Sequence, residues 1–265
     1  MALDEALFEG VRDGGSPVLR FYTWSPSTLS LGRHQHSEDG LAPGAQEVPR
    51  VRRLTGGGAI WHSDELTYSL ACTQEDLRTS GVKASFELLC GFLLDTWKSL
   101  GWDAHFAKDV GQAPELGQFS PACFAGKEEY DVLVNGKKLG GNAQRRDRKT
   151  VFQHGSIPVR LDRKTLESLF SPGYRPLEAE TTDLETCGWT DPIETLIPLL
   201  VRAFAARLGS EVREGVPSAA ETSRAAELVR DRYGNVQWTE IGSGSVRAFG
   251  VGVGALGSEP RQQES

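Results

Sequence analysis

Between residues 131 and 159, three β-type runs follow one another with little room between them: Asp131–Val134, Lys138–Gln144 and Val151–Val159. Asn135-Gly136 separates the first two, and it is the pair that a tight two-residue hairpin favours, because both central residues of the turn take positive φ. Strands joined by so short a turn run antiparallel. A chain holding this unit is committed to an antiparallel sheet, whose apolar face needs a second layer to cover it. Helical spacing supplies the cover. Leu3, Ala6, Leu7 and Val11 share one helical face, and Phe86, Leu89, Cys90, Leu93, Leu94 and Trp97 share another that Gly101 ends. The expected fold is α+β, with mixed, largely antiparallel β-sheets flanked by helices.

Shorter runs add to the sheet. Val18–Tyr22 and Thr28–Leu31 are split by the turn pair Ser25-Pro26, and Thr67–Thr73 reads as a further strand. Beyond residue 160 the pattern turns helical: Lys164–Phe170, then Pro192–Leu208 closed by Gly209, with Pro198 marking a kink or a late start. Ser218 is placed to cap a helix over Ala219–Tyr233. The last dozen residues carry little to bury and are expected to be disordered. No internal repeat is visible.

Bulk properties narrow the function. With 265 residues, 38% hydrophobic and 25% charged, the chain can bury the core of one large domain. Its net charge of −7 argues against a general nucleic-acid binder, which needs a basic surface for phosphates. No apolar run approaches the length needed to span a bilayer. The opening MALDEALFEG is acidic and amphipathic, without the basic and apolar regions of a signal peptide. Cysteines 72, 90, 123 and 187 form neither a CxxC pair nor a dense framework, so free thiols in a reducing compartment, the cytoplasm, are expected.

Arg52–His62 reads RRLTGGGAIWH. Three glycines let the backbone approach a ligand with its N–H groups exposed, and the flanking arginines are placed to meet an anion. No GK[ST] follows, so this is no P-loop. The segment resembles the RRxxGGGxxxH signature of the biotin/lipoate protein ligase superfamily. Further pieces follow in order: MALDEALF, RFYTWSPSTLSLGRHQ, NGKKLGGNAQRR and HGSI. The resemblance implies the catalytic-domain fold of that family, similar to class II aminoacyl-tRNA synthetases, over residues 1–240, with 160–240 as a mainly helical part. Residues 241–265 match nothing in it. Family members carry a strand ahead of the helix that matches Met1–Gly10, so the resemblance also implies a sheet one strand short.

The same resemblance assigns the site. It implies an acyl tunnel walled by Arg53, Gly56, Gly57, Gly58, His62, Gly141, Ala143, His154 and Gly155, and a lysine beside the acyl carbonyl, Lys138 of KLGGNA. Ligases of the superfamily follow the motif histidine with D-x-G-N. Here Ser63–Ser69 reads SDELTYS, which resembles the LipM-type octanoyltransferases. In those, a loop like Ser120–Phe124 (SPACF) carries the acyl-accepting cysteine, which maps to Cys123. The implied activity moves octanoyl from acyl carrier protein to a lysine of the glycine-cleavage H protein or an E2 lipoyl domain. The donor is already a thioester, so no cofactor is implied; ATP and Mg would enter only for a lipoate–protein ligase. The residues are also compatible with an octanoyl amidotransferase working between lipoyl domains, and with a non-catalytic acyl- or carrier-binding module.

Each residue also has a plainer reading. Cys90 falls on the apolar helix face, Cys72 in a strand, and Cys187 in a polar stretch without basic neighbours; free cysteines are usually buried and inert. His62 and His154 lean towards structural hydrogen bonding. No histidine or cysteine spacing suits a metal. Arg50, Arg52 and Arg53 cluster, and residues 127–149 carry seven basic against four acidic side chains. Such patches steer acidic partners. No nucleic-acid or membrane partner is expected, and a monomer is.

Overall fold

The structure, a computed structural model, describes residues 1–79, 81–111, 128–174 and 179–242. In chain order the elements are α1 (Ala2–Arg12), β1 (Val18–Tyr22), β2 (Thr28–Leu31), β3 (Arg50–Arg52), β4 (Ile60–His62), β5 (Asp64–Thr73), α2 (Val82–Ser99) and β6 (Ala104–Phe106). They continue with β7 (Val132–Val134), β8 (Lys137–Leu139), β9 (Gly141–Arg146), β10 (Thr150–Arg160), α3 (Arg163–Leu169), β11 (Thr181–Thr182), α4 (Leu196–Leu208), α5 (Ala219–Leu228) and α6 (Val236–Ile241).

The α+β expectation holds. The central sheet runs β1-β5-β10-β9 and is antiparallel throughout. Alternation along β5 and β10 serves two layers at once. Leu66, Tyr68, Leu70, Cys72, Val151 and Ile157 join the main core with Phe86, Leu89, Cys90, Leu93 and Trp97 of α2. Ala71 and Phe152, on the opposite face, pack with Phe8 and Val11 of α1 and with Leu54. A second sheet runs β11-β8-β7-β6, and a third runs β3-β2-β4. Each contains one parallel pair, β11 with β8 and β2 with β3.

Asn135 and Gly136 take φ of 51° and 77° and turn β7 onto β8, as the sequence predicts. The following strand departs from expectation. Lys138–Gln144 is not one strand: Gly140, at φ +84°, divides it, sending β8 into the second sheet and β9 into the central one. A Cβ at Gly140 would stand 2.0 Å from the Ser156 carbonyl oxygen, so the corner needs glycine for its space as well as its φ.

The helix expected from Pro192 starts late, at Leu196 after a 3₁₀ turn, with Pro198 in its first turn, and Gly209 ends it in the left-handed region. Ser218 and Glu221 form a reciprocal capping box on α5. The helix expected to reach Tyr233 ends at Leu228 and continues as a π-helical turn over Val229–Tyr233. Arg224 bonds Glu9 at 2.7 Å and Tyr233 donates to Glu5 at 2.8 Å, docking this region onto α1. Ile241, expected to open the unmatched tail, closes α6 instead. Among the described residues no helix is long and apolar enough to cross a membrane.

Candidate active site

β3 and β4 flank β2 in the third sheet, so the glycine segment between them must cross the end of β2. The crossing is close. A Cβ on Gly32 would lie 1.8 Å from the Gly57 carbonyl oxygen, and Gly57 itself has φ +87°. Arg53 fixes the crossing from inside. Its Nη2 donates to the carbonyls of Gly56 (2.8 Å) and Gly58 (2.7 Å), and its Nη1 to Ser30 O (3.1 Å) and Ser30 Oγ (3.2 Å). Arg52 is likewise fully buried. It donates to the carbonyls of Gly32 and Gln35 at 2.6 Å, Thr239 at 2.9 Å, and Trp238 and Glu240 at 3.1 Å. The expectation that these two arginines meet an anion is therefore corrected: both face main-chain carbonyls, whose partial charges balance a buried guanidinium. Arg50 pairs with Glu240 at 2.6 Å, so the RVRR cluster is not an exposed basic patch either.

His62, at the end of the segment, is buried and bonded at both ring nitrogens. Nε2 lies 2.7 Å from Ser30 Oγ and Nδ1 lies 2.7 Å from Glu65 Oε1, with Trp24 stacked on the ring at 4.1 Å. Glu65 also accepts from the hydroxyls of Thr67 and Ser156. Burial pushes its carboxyl up, but the His62 charge and the hydrogen bonds from His62, Ser156 and Thr67 outweigh this and hold it below the ordinary carboxylate value. The chain Glu65–His62–Ser30–Arg53 thus ends on the glycine carbonyls. A cleft of about 420 Å³, lined by Ser27, Ser63, Asp64 and Arg160 among others, opens beside this network.

His154 lies on the same sheet face as Glu65. Its Nε2 is 2.6 Å from Thr55 Oγ1, which ties β10 to the glycine segment. Burial, reinforced by the Arg53 charge, pulls its pKa down to about 3, so it is neutral at physiological pH. Gly141 and Ala143 pair with Ser156 and His154 across β9 and β10. Gly155 faces the other way. A Cβ there would meet Asn142 Oδ1 at 2.2 Å and the Tyr68 ring at 2.4 Å, where the Tyr68 hydroxyl donates to Asn142 at 2.7 Å.

Lys138 is on β8, beyond the Gly140 corner. It is buried and its Nζ lies 2.7 Å from Asp131 Oδ2, also buried. The same oxygen accepts the Glu128 N–H at 2.7 Å, anchoring the chain where it re-enters the described structure. Cys123 lies outside the described residues. The other three thiols are unsuited to nucleophilic work: burial pushes Cys72 and Cys90 up to about 12, and raises Cys187, despite Lys137 nearby. Among the described residues no group of three His, Cys, Asp or Glu side chains is arranged to hold a metal.

The residues that build the glycine crossing, with Arg53, His62 and the buried Lys138, all fall within residues 1–205, which the family model of the lipoyl protein ligase A/B catalytic domain matches. The chain belongs to that family. Within the lipoyl protein ligase A/B family, it is similar to the octanoyltransferase LipM of Brevibacillus brevis, 32% identical over 260 residues that span 90% of this chain and 92% of that protein. It is 37% identical to the octanoyltransferase LipM of Exiguobacterium over 179 residues, a match spanning 64% of this chain and 65% of that one, just under two-thirds of its length. Among solved structures, a lipoate-protein ligase A bound with ATP superposes with a TM-score of 0.77 at 22% identity, covering 90% of this chain and 92% of that one. A lipoate protein ligase from T. acidophilum with bound lipoic acid gives 0.75 at 23% identity, covering 90% and 91%. The structures establish the fold.

Sequence reasoning missed Ser30, Thr55, Glu65, Asp131 and Ser156. Glu65 lies within SDELTYS and Asp131 immediately ahead of β7, the first strand of the hairpin. Nothing local marks a strand residue as the partner of a distant side chain.

Proposed function

We propose that this chain is an octanoyltransferase of lipoate biosynthesis. It takes octanoyl from acyl carrier protein onto Cys123 and passes it to a specific lysine of the H protein or an E2 lipoyl domain. The observation that carries this reading is the match to named octanoyltransferases over nine-tenths of the chain. The state of the other three thiols supports Cys123 as the acceptor, since each has its pKa raised and so holds less of the reactive thiolate.

The Cys123 thiolate attacks the thioester carbonyl, and the tetrahedral intermediate collapses by expelling the carrier thiolate. The acceptor amine then attacks the enzyme thioester, loses a proton, and releases the Cys123 thiolate as the amide forms. The first exchange is nearly isoenergetic and the second runs downhill, so no ATP is needed. Lys138 supplies a fixed positive charge for the thiolate and a hydrogen bond for each oxyanion. Asp131 holds that ammonium in place. The enzyme acts in the cytoplasm, where sparse cysteines remain thiols.

Incubation with octanoyl-carrier protein, with and without ATP, followed by intact mass spectrometry, tests the reading. Expected are an octanoyl adduct that Cys123→Ala abolishes, and transfer to a lipoyl domain at equal rates with and without ATP. An adduct that survives Cys123→Ala, or transfer that requires ATP, would sink it.

A further inference from the structure

The indole of Trp238 on α6 carries two guanidinium groups: Arg232 Cζ is 4.7 Å and Arg33 Cζ is 6.0 Å from its ring centre. Arg33 follows β2 and is tied to the glycine segment, its N–H donating to Thr55 O at 2.7 Å. Arg145 on β9 has its Cζ 5.9 Å from the Phe8 ring, one turn along α1 from Glu5, the partner of Arg232. Segments distant in sequence thus bring three arginines to one corner of the fold. Burial and the charges of Arg145 and Arg232 all pull the Arg33 pKa down, so the three share one electrostatic environment.

Compensation is incomplete. Glu5 is engaged by Arg232 and by the Tyr233 hydroxyl. Nη1 of Arg33 and Nη1 of Arg145 are both shielded from solvent, and neither has a hydrogen-bond acceptor among the described residues. A desolvated charged donor without an acceptor is costly and uncommon in folded chains. Arg52, which is more deeply buried than either, surrounds itself with carbonyls instead.

We propose that Arg33, Arg145 and Arg232 form a binding site for a phosphate group, whose oxygens supply the missing acceptors. Guanidinium forks match phosphate geometry, and a tetrahedral group presents oxygens to donors from several segments; here the arginines come from the loop after β2, from β9 and from the π-helical turn before α6. Arg33 and Arg145 are both partly exposed, so both side chains are open to a ligand from solvent; engaging each shielded Nη1 requires the guanidinium to turn. A free phosphate ion and the phosphodiester of a carrier's prosthetic arm share this chemistry.

Calorimetric titration of the full chain with inorganic phosphate, against chloride at matched ionic strength, tests the site. Wild-type protein is expected to bind phosphate, and Arg33→Gln and Arg145→Gln each to weaken it by about tenfold or more, the loss of one charge-assisted contact. Arg213→Gln, at an exposed arginine paired with Glu211, should bind as wild type does. If Arg33→Gln fails to fold, wild type and Arg145→Gln decide the matter alone. Absence of phosphate-specific binding in wild type, or undiminished binding in the glutamine variants, overturns the proposal. Competition by 4′-phosphopantetheine but not by pantetheine assigns the site to the prosthetic arm; phosphate binding without that competition assigns it to the free ion.

Discussion

Asp131→Asn removes the charge facing Lys138 while keeping an oxygen in the same place. Both partners of the 2.7 Å pair are buried, at 3% and 7% side-chain exposure, so water does little to replace the lost carboxylate. Breaking one side of a buried pair costs about 3–5 kcal/mol. A ceiling applies, because an ammonium of ordinary pKa about 10.4 can be neutralised at pH 7 for about 4–5 kcal/mol. Asparagine still accepts a hydrogen bond and Lys138 has other contacts, so the expected loss is about 2–4 kcal/mol. In the variant the folded state disfavours the charged lysine, so the unfolded state binds the extra proton. Stability then rises with pH relative to wild type up to about 10.4, and at pH 9.5 the ceiling falls to about 1 kcal/mol. Urea unfolding of both proteins at pH 7 and pH 9.5, followed by circular dichroism, measures this. A loss under about 0.5 kcal/mol at pH 7, or one unchanged at pH 9.5, refutes the reasoning about the pair.

Three further outcomes follow from the geometry. His154 is held neutral down to about pH 3, so between pH 6.5 and 4 the unfolded chain takes up a proton that the folded one refuses. Wild type should lose about 3 kcal/mol over that range from this group, and His154→Gln should show a correspondingly flatter acid limb in pH-dependent unfolding. Arg52→Met removes the guanidinium shared by five main-chain carbonyls, of which Gly32 and Trp238 keep a second donor; a stability loss of about 2–4 kcal/mol is expected, with proteolysis at α6 preceding global unfolding. Gly155→Ala drives a Cβ into the Tyr68–Asn142 contact and should cost about 1–3 kcal/mol by calorimetry, whereas alanine at Gly173, where a Cβ meets nothing within 4 Å, should be nearly silent.

Elements whose signal is local were legible in the chain itself. The Asn135-Gly136 turn, the apolar faces of α1 and α2, the Gly209 stop and the Ser218 cap each depend on residues a few positions apart, and each formed where expected. The motifs RRLTGGGAIWH and KLGGNA likewise pointed to the family. The short strands β3, β4, β6 and β11 were not legible, because two or three residues show no period and owe their hydrogen bonds to strands elsewhere. The run 138–144 misled for a related reason: two strands of different sheets, joined at one positive-φ glycine, look continuous when read linearly.

For the site, the sequence by itself determined which residue types were available: the glycines that allow a close crossing, two arginines beside them, a lysine and a cysteine nearby. Only the tertiary structure decided what the arginines and their buried neighbours contact. Arg52 and Arg53 turn inward to carbonyls, Thr55 meets His154 across 99 positions, Ser156 meets Glu65 across 91, and Arg52 reaches Trp238 across 186. Hydrogen bonding and charge compensation act over a few ångströms of space. A buried charge is satisfied by whatever acceptor the fold delivers there, and its distance along the chain carries no energy of its own.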